Sequence, residues 1–143
     1  MNMRSIYNSV KNRYDYDFKI EEITDKKLLM TTSLSDLDGI DDGVYVRIVA
    51  YESGSVTFLA TFDHLDRTLR NFSLVNEFNE WSGALLGYIS EKKGGDYFEV
   101  MGTSIGTGSV DADDIASICR FFIDKLHDDE VCEKLSAICD ETY

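Results

Sequence analysis

Gly102, Thr103, Ser104, Ile105, Gly106, Thr107, Gly108 and Ser109 form the glycine-rich segment of this 143-residue sequence. Between a strand and a helix, such a segment can cradle a phosphate on backbone N–H groups. It lacks the lysine of a P-loop, and its glycine spacing is not that of a dinucleotide fingerprint. The expectation is therefore a flexible connection into a capped helix, with Ser109 or Asp111 as the N-cap. Asp36, Asp38, Asp41 and Asp42 gather four carboxylates within eight residues, which suggests calcium. An EF-hand loop takes oxygen ligands at its first, third and fifth positions and a glutamate at its twelfth. Counted from Asp36, the fifth position is Ile40 and the twelfth Arg47, so the segment reads as a solvated acidic turn.

Other reactive side chains are scattered. His64 and His127 are the two histidines, far apart in sequence. Neither belongs to a His-Cys cluster with ligand spacing, and no nucleophile elbow occurs. His64 lies between Asp63 and Asp66 at an expected helix start, where capping and surface pairing account for it. The three cysteines, Cys119, Cys132 and Cys139, fall in helical segments, Cys119 and Cys139 on the apolar face, and read as reduced and buried. No catalytic residue, metal ligand or cofactor site is assigned. Asn76 and Asn79 stand three apart on a helix, on the side of Leu65, Leu69 and Phe72. An amide on an apolar face costs energy unless hydrogen-bonded, so both are expected to tie the helix to strand backbone or to the following loop.

Composition narrows the partners. The net charge is −13, from 27 acidic and 14 basic residues, and no more than two basic residues are adjacent. Such a field repels phosphate backbones and anionic lipid; neither nucleic acid nor a membrane is expected as a partner. No run approaches the ~20 apolar residues of a membrane span, and Met1 to Tyr16 lacks the apolar core of a signal peptide. With 43% hydrophobic and 12% aromatic residues, the chain has the content of one packed domain, 1–143, expected in the cytoplasm.

The elements that must position these residues follow from periodicity. Met3, Ile6, Tyr7 and Val10 have helical spacing within Met1 to Arg13. Tyr14 to Ile20 alternates aromatic and charged residues as a half-buried strand, and Leu28 to Ser33 adds another. Val44 to Tyr51 and Val56 to Phe62 alternate around Glu52-Ser53-Gly54, an antiparallel hairpin. From Leu65 to Trp81 the period becomes 3.6. Leu65, Leu69, Phe72 and Val75 occupy one side and Leu74, Phe78 and Trp81 another, an arc broader than one sheet face requires. That helix is either covered twice within the domain or lies at an oligomer interface. Strands over Gly83 to Ser90 and Asp96 to Met101 flank a Gly-Gly turn. Ile115, Ile118, Cys119, Phe122 and Leu126, then Val131, Leu135, Ile138 and Cys139, close the sequence as helices. The fold class is α+β, an antiparallel sheet of about five strands with helices packed on it.

The segment Leu74-Val75-Asn76-Glu77-Phe78-Asn79-Glu80-Trp81-Ser82, followed by Ala84 to Ile89 and a turn, resembles the YbjN family of bacterial proteins. There a helix with two asparagines three apart precedes a strand hairpin and a terminal helix. The resemblance implies a fold like that of type III secretion chaperones, in the order α-β-β-β-α-β-β-α. Those are small, acidic, cytoplasmic homodimers that hold extended segments of other proteins and often dimerise through the second helix and adjoining strands. The helical segment after Asp128 departs from that pattern and could cover a surface those chaperones leave open.

The expected function is a non-enzymatic protein-binding module, chaperone-like or regulatory, acting as a homodimer. Leu74, Phe78 and Trp81 are expected at its dimer or partner surface. One alternative is an immunity or inhibitor protein that masks a basic partner. Another is a small-ligand sensor or enzyme that uses the Gly102 to Ser109 loop.

Overall fold

The computed structural model describes residues 2–106, 108 and 111–140. Its elements are α1 (Met3–Arg13), β1 (Lys19–Ile23), β2 (Lys27–Leu34), β3 (Val44–Tyr51), β4 (Val56–His64), α2 (Leu69–Ser82), β5 (Leu86–Lys92), β6 (Gly95–Ser104), α3 (Ala112–Leu126) and α4 (Asp129–Asp140). The strands form one antiparallel six-stranded sheet in the order β1-β2-β3-β4-β6-β5. The fold is α+β, with one strand more than the expected five or so.

Alternation in β3 and β4 decides which face is covered. Val44, Val46, Ile48 and Ala50 are buried, as are Val56, Phe58, Ala60 and Phe62, while the residues between them are exposed or half-buried. Helix α3 lies over β3 and β4, α1 over β1 and β2, and α2 over β5. Phe122 of α3 stacks on Phe58 at 5.6 Å, and Phe78 of α2 approaches Gly87 of β5 on the same face. Helix α4 packs on α2 and α3. The helices thus lie on one side of the sheet, and none of them covers the other.

Side chains cap the helices. Asn2 accepts from Arg4 N, Thr68 from Asn71 N and Asp111 from Asp114 N, each satisfying an N–H without an intrahelical partner. Asp111 is therefore the N-cap of α3; the alternative, Ser109, lies outside the described residues, as do Met1 and Thr107.

Several expectations shift. Tyr14 to Phe18 is not strand: Tyr14 caps the end of α1, and the ladder begins at Lys19. Its aromatics alternate because their rings pack on one another, Tyr14 on Tyr16 at 5.5 Å and Tyr16 on Phe18 at 6.1 Å. Helix α2 starts after Thr68, so Leu65 is not helical; it is buried ahead of the helix, its N–H bonded to Asp96 O. His64 ends β4, its ring 4.1 Å from that of Tyr97. The acidic segment after β2 is anchored by buried Leu37 and Ile40 and by Ser136 Oγ of α4, which donates to Gly39 O.

Candidate functional site

A groove opens in the surface where β6 outruns its neighbour. Pairing of β5 with β6 begins at Leu86, opposite Met101, but β6 continues to Ser104 beside β4. Gly102, Thr103 and Ser104 consequently have no partner residue in β5. The slot beside them is walled by Gly83 to Leu86 on one side and by Ser117, Ile118, Phe121 and Phe122 of α3 on the other, with a volume of about 660 Å³. Its lining side chains are apolar or carry hydroxyl or amide groups, and none is ionisable. Leu86 and Phe121, the two lips, are 48% and 50% exposed.

Local chemistry holds the slot open. Gly83 has φ +70°, a conformation that strains any residue with a Cβ, and it turns the chain out of α2 before β5 begins. Ser82 Oγ, which is buried, donates to Leu85 O and fixes the connection. Asn79 Nδ2 donates to Gly87 O at 2.8 Å, and Gly87 N donates to Asn79 Oδ1 at 2.6 Å. The amide thereby makes the two hydrogen bonds that a neighbouring strand would make to the edge of β5. An open edge is a template for pairing; Asn79 closes it at Gly87, one residue from the slot.

Leu74, Phe78 and Trp81 are not brought together on a free surface. Leu74 and Phe78 face Lys134, Ala137 and Ile138 of α4, and Phe78 is only 2% exposed. Trp81 is exposed, with Lys134 Nζ 4.8 Å above its ring. Helix α4 covers the stripe, so α2 is packed on two sides, one of the two situations its broad apolar arc allowed. The other side behaves differently: Leu69 and Phe72 are exposed. Asn79 ties helix to strand as expected, whereas Asn76 is exposed. Buried Asn71 does similar work, donating from Nδ2 to Asp66 O at 2.9 Å.

The glycine-rich stretch is explained by close approach. A Cβ on Gly102 would sit 2.4 Å from the Phe122 ring, and one on Gly106 would sit 2.1 Å from Ser53 O. Among its described residues, the segment packs against α3 and the β3–β4 turn instead of forming a free loop.

Two polar clusters carry titratable groups. In the first, Tyr16 Oη lies 2.8 Å from Asp36 Oδ2 and 2.6 Å from His127 Nε2. His127 Nδ1 donates to Ile123 O at 2.8 Å, which leaves Nε2 for Tyr16 and Asp36. Burial, then the hydrogen bond and charge of Asp36, raises Tyr16 above the ordinary phenol range. Burial opposes the charge on Asp36, but hydrogen bonds from Tyr16 and His127 outweigh it and hold the carboxyl below its usual value. Tyr14 and Arg13 likewise bond Asp124 of α3. These contacts clasp the α1–β1 connection and the acidic segment to the end of α3. In the second cluster, Glu99 is 2% exposed, accepting from Thr61 Oγ1 at 2.6 Å with Lys92 Nζ at 3.3 Å. Burial, then the Glu99 charge, raises neighbouring Tyr88.

The cysteines are reduced: Cys119 and Cys132 are buried and Cys139 half-buried. Burial pushes the Cys119 thiol up to about 12, a weak nucleophile at neutral pH. Among the described residues, no group of three or more His, Cys, Asp and Glu is arranged to hold a metal, and no helix is long and apolar enough to cross a membrane. Comparison of the chain with protein-family models, curated proteins and solved structures gives no match.

Proposed function

We propose that this chain is a non-enzymatic protein-binding module, chaperone-like or regulatory, which works in the cytoplasm as a homodimer and takes an extended apolar segment of another protein into the groove beside β6. The observation that carries this reading is the edge of Gly102 to Ser104 without a strand beside it, set between apolar walls. A peptide entering there would add a short strand and seat alternate side chains on Leu86, Ile118 and Phe121. Asp114 stands on the same face of α3 as Ser117, Ile118 and Phe121, and the chain carries −13; a segment flanked by basic residues is therefore favoured electrostatically. The resemblance to the YbjN family, and through it to secretion chaperones, supports the same class of function.

The test is amide chemical-shift mapping with a short synthetic peptide of alternating leucine and threonine, flanked by lysines. Expected are saturable shifts centred on Gly102 to Ser104 and Phe121, with affinity weakened about tenfold or more by Phe121→Asp, which puts a charge on an apolar lip. Shifts on another surface, or unchanged binding by the variant, would overturn the reading. The groove also has the volume of a small-molecule site. Saturable binding of small apolar compounds, with none of the peptide, would replace it with the sensor alternative.

A further inference from the structure

The face of the sheet turned away from the helices is unusual for so acidic a chain. Rows of side chains run across it, set by the ladder registers. One contains Thr31, Arg47, Leu59, Met101 and Leu86. The next contains Leu29, Val49 and Thr57, and the row on the other side Tyr45, Thr61, Glu99 and Tyr88. Leu29, Val49, Leu59 and Met101 are half-buried without a helix over them, and Tyr45 and Leu86 are exposed. Charge is segregated. Lys19, Lys27, Arg47 and Lys92 lie on this face or its borders, against Glu21, Glu22 and Glu99, with Lys27 paired to Glu22 and Lys92 to Glu99. The acidic excess lies instead mostly in the connections between elements, among them Asp15, Asp17, the segment from Asp36 to Asp42, Asp66, Asp111 and Asp128.

We infer that this bare sheet face is the surface through which two copies of the chain pack, face to face. The inference rests on the homodimer in the proposed function and gives it an interface other than the α2 stripe, which α4 already covers. Charge selects the occupant. Two copies carrying −13 each repel over most of their surfaces, and the least repulsive approach is through the face where basic and acidic groups balance. Area is sufficient. Six strands at ~4.8 Å spacing, each about eight residues long at ~3.3 Å rise, give roughly 600–700 Å² per copy. The pair would bury about 1,300 Å², within the roughly 1,200–2,000 Å² of stable interfaces. A two-fold axis through Leu59 sets each Arg47 towards Met101 of the other copy instead of against its counterpart. Leu59, Met101 and Val49 form the apolar centre, and the tyrosines supply the amphipathic periphery.

Sedimentation velocity over a concentration series tests this directly, with Leu59→Glu and Arg47→Glu beside the parent. The parent is expected to dimerise at micromolar concentration. Each variant places an acidic group inside the interface and should raise the dimer dissociation constant about tenfold or more. Arg47 is exposed, so its variant keeps the test informative should Leu59→Glu fold poorly; circular dichroism checks both. A parent that stays monomeric at high micromolar concentration overturns the interface and the homodimer together. A dimeric parent whose two folded variants dimerise equally well overturns this interface alone. Leu86 and Met101 border both surfaces, so the peptide titration is repeated on the folded variants and decides the groove separately.

Discussion

Phe58 and Leu59 are neighbours in β4 that meet different surroundings. Phe58 is fully buried beneath α3, stacked on Phe122 and opposite Gly102, whose missing side chain makes room for that ring. Leu59, turned over by the pleat, stands half-exposed between Arg47 and Met101. One face of the sheet is held by packing to interior density and by polar clasps at its borders. The other uses residues of similar hydrophobicity without a covering layer. Hydrophobicity alone therefore does not mark the core; the partner element does.

The largest effect should separate these neighbours. Phe58→Ala is expected to cost about 3–5 kcal/mol in urea denaturation. Leu59→Ala, measured where the protein is monomeric, should cost about 1 kcal/mol, because a half-exposed site leaves no closed cavity. Equal costs would break the comparison. Next, Asn79→Ala removes both hydrogen bonds to Gly87 and should lose about 1–3 kcal/mol. Amide exchange at Gly87 should accelerate more than at Val100 opposite it, an asymmetry that a general loss of packing would not produce.

The clasp on the helix side should respond to acid. Asp36 titrates below its ordinary value in the folded protein. Its contribution is thus present above the unfolded carboxylate pKa and fades as pH falls through the lower, folded one. Asp36→Asn should flatten the pH–stability curve below about pH 4 by less than about 1 kcal/mol, since the carboxylate is largely solvated. The smallest effect has the opposite sign. A hydrogen bond with Asp63, then its charge, raises Asp42. That contribution is present at low pH and lost as pH rises through the raised value. Asp63→Asn should therefore remove a small part of the melting-temperature difference between low and neutral pH, measured by calorimetry at both.

How much of this could be read in the residues depended on whether one cause produced the pattern. Alternation in Val44 to Phe62 reflects one covered face and one bare face, and the hairpin follows directly. The same alternation from Tyr14 to Phe18 comes from rings stacking on each other, which periodicity cannot distinguish from a strand. The breadth of the apolar arc on α2 was visible, yet its cover, α4, begins 47 positions beyond Ser82 and could not be told from a second copy. The groove is harder still. Its walls come from α2, β5, β6 and α3, and Phe121 and Leu86 sit where the local patterns call for polar residues. The tie made by Asn79 was legible because an amide on a packed helix needs partners. Asn71, doing similar work near the start of α2, lacked that apolar setting in the sequence.

The cover that α4 lays over Leu74 and Phe78 also has a meaning in time. A ribosome adding ~5–20 residues each second needs roughly 2–10 s to pass from the end of α2 to the start of α4. For that interval the nascent chain carries the stripe uncovered. Trp81, the sole tryptophan, lies under Lys134 once α4 docks. In refolding, its fluorescence should therefore register the closing of that cover as a step later than sheet formation followed by circular dichroism; a single shared rate would show that cover and sheet form together.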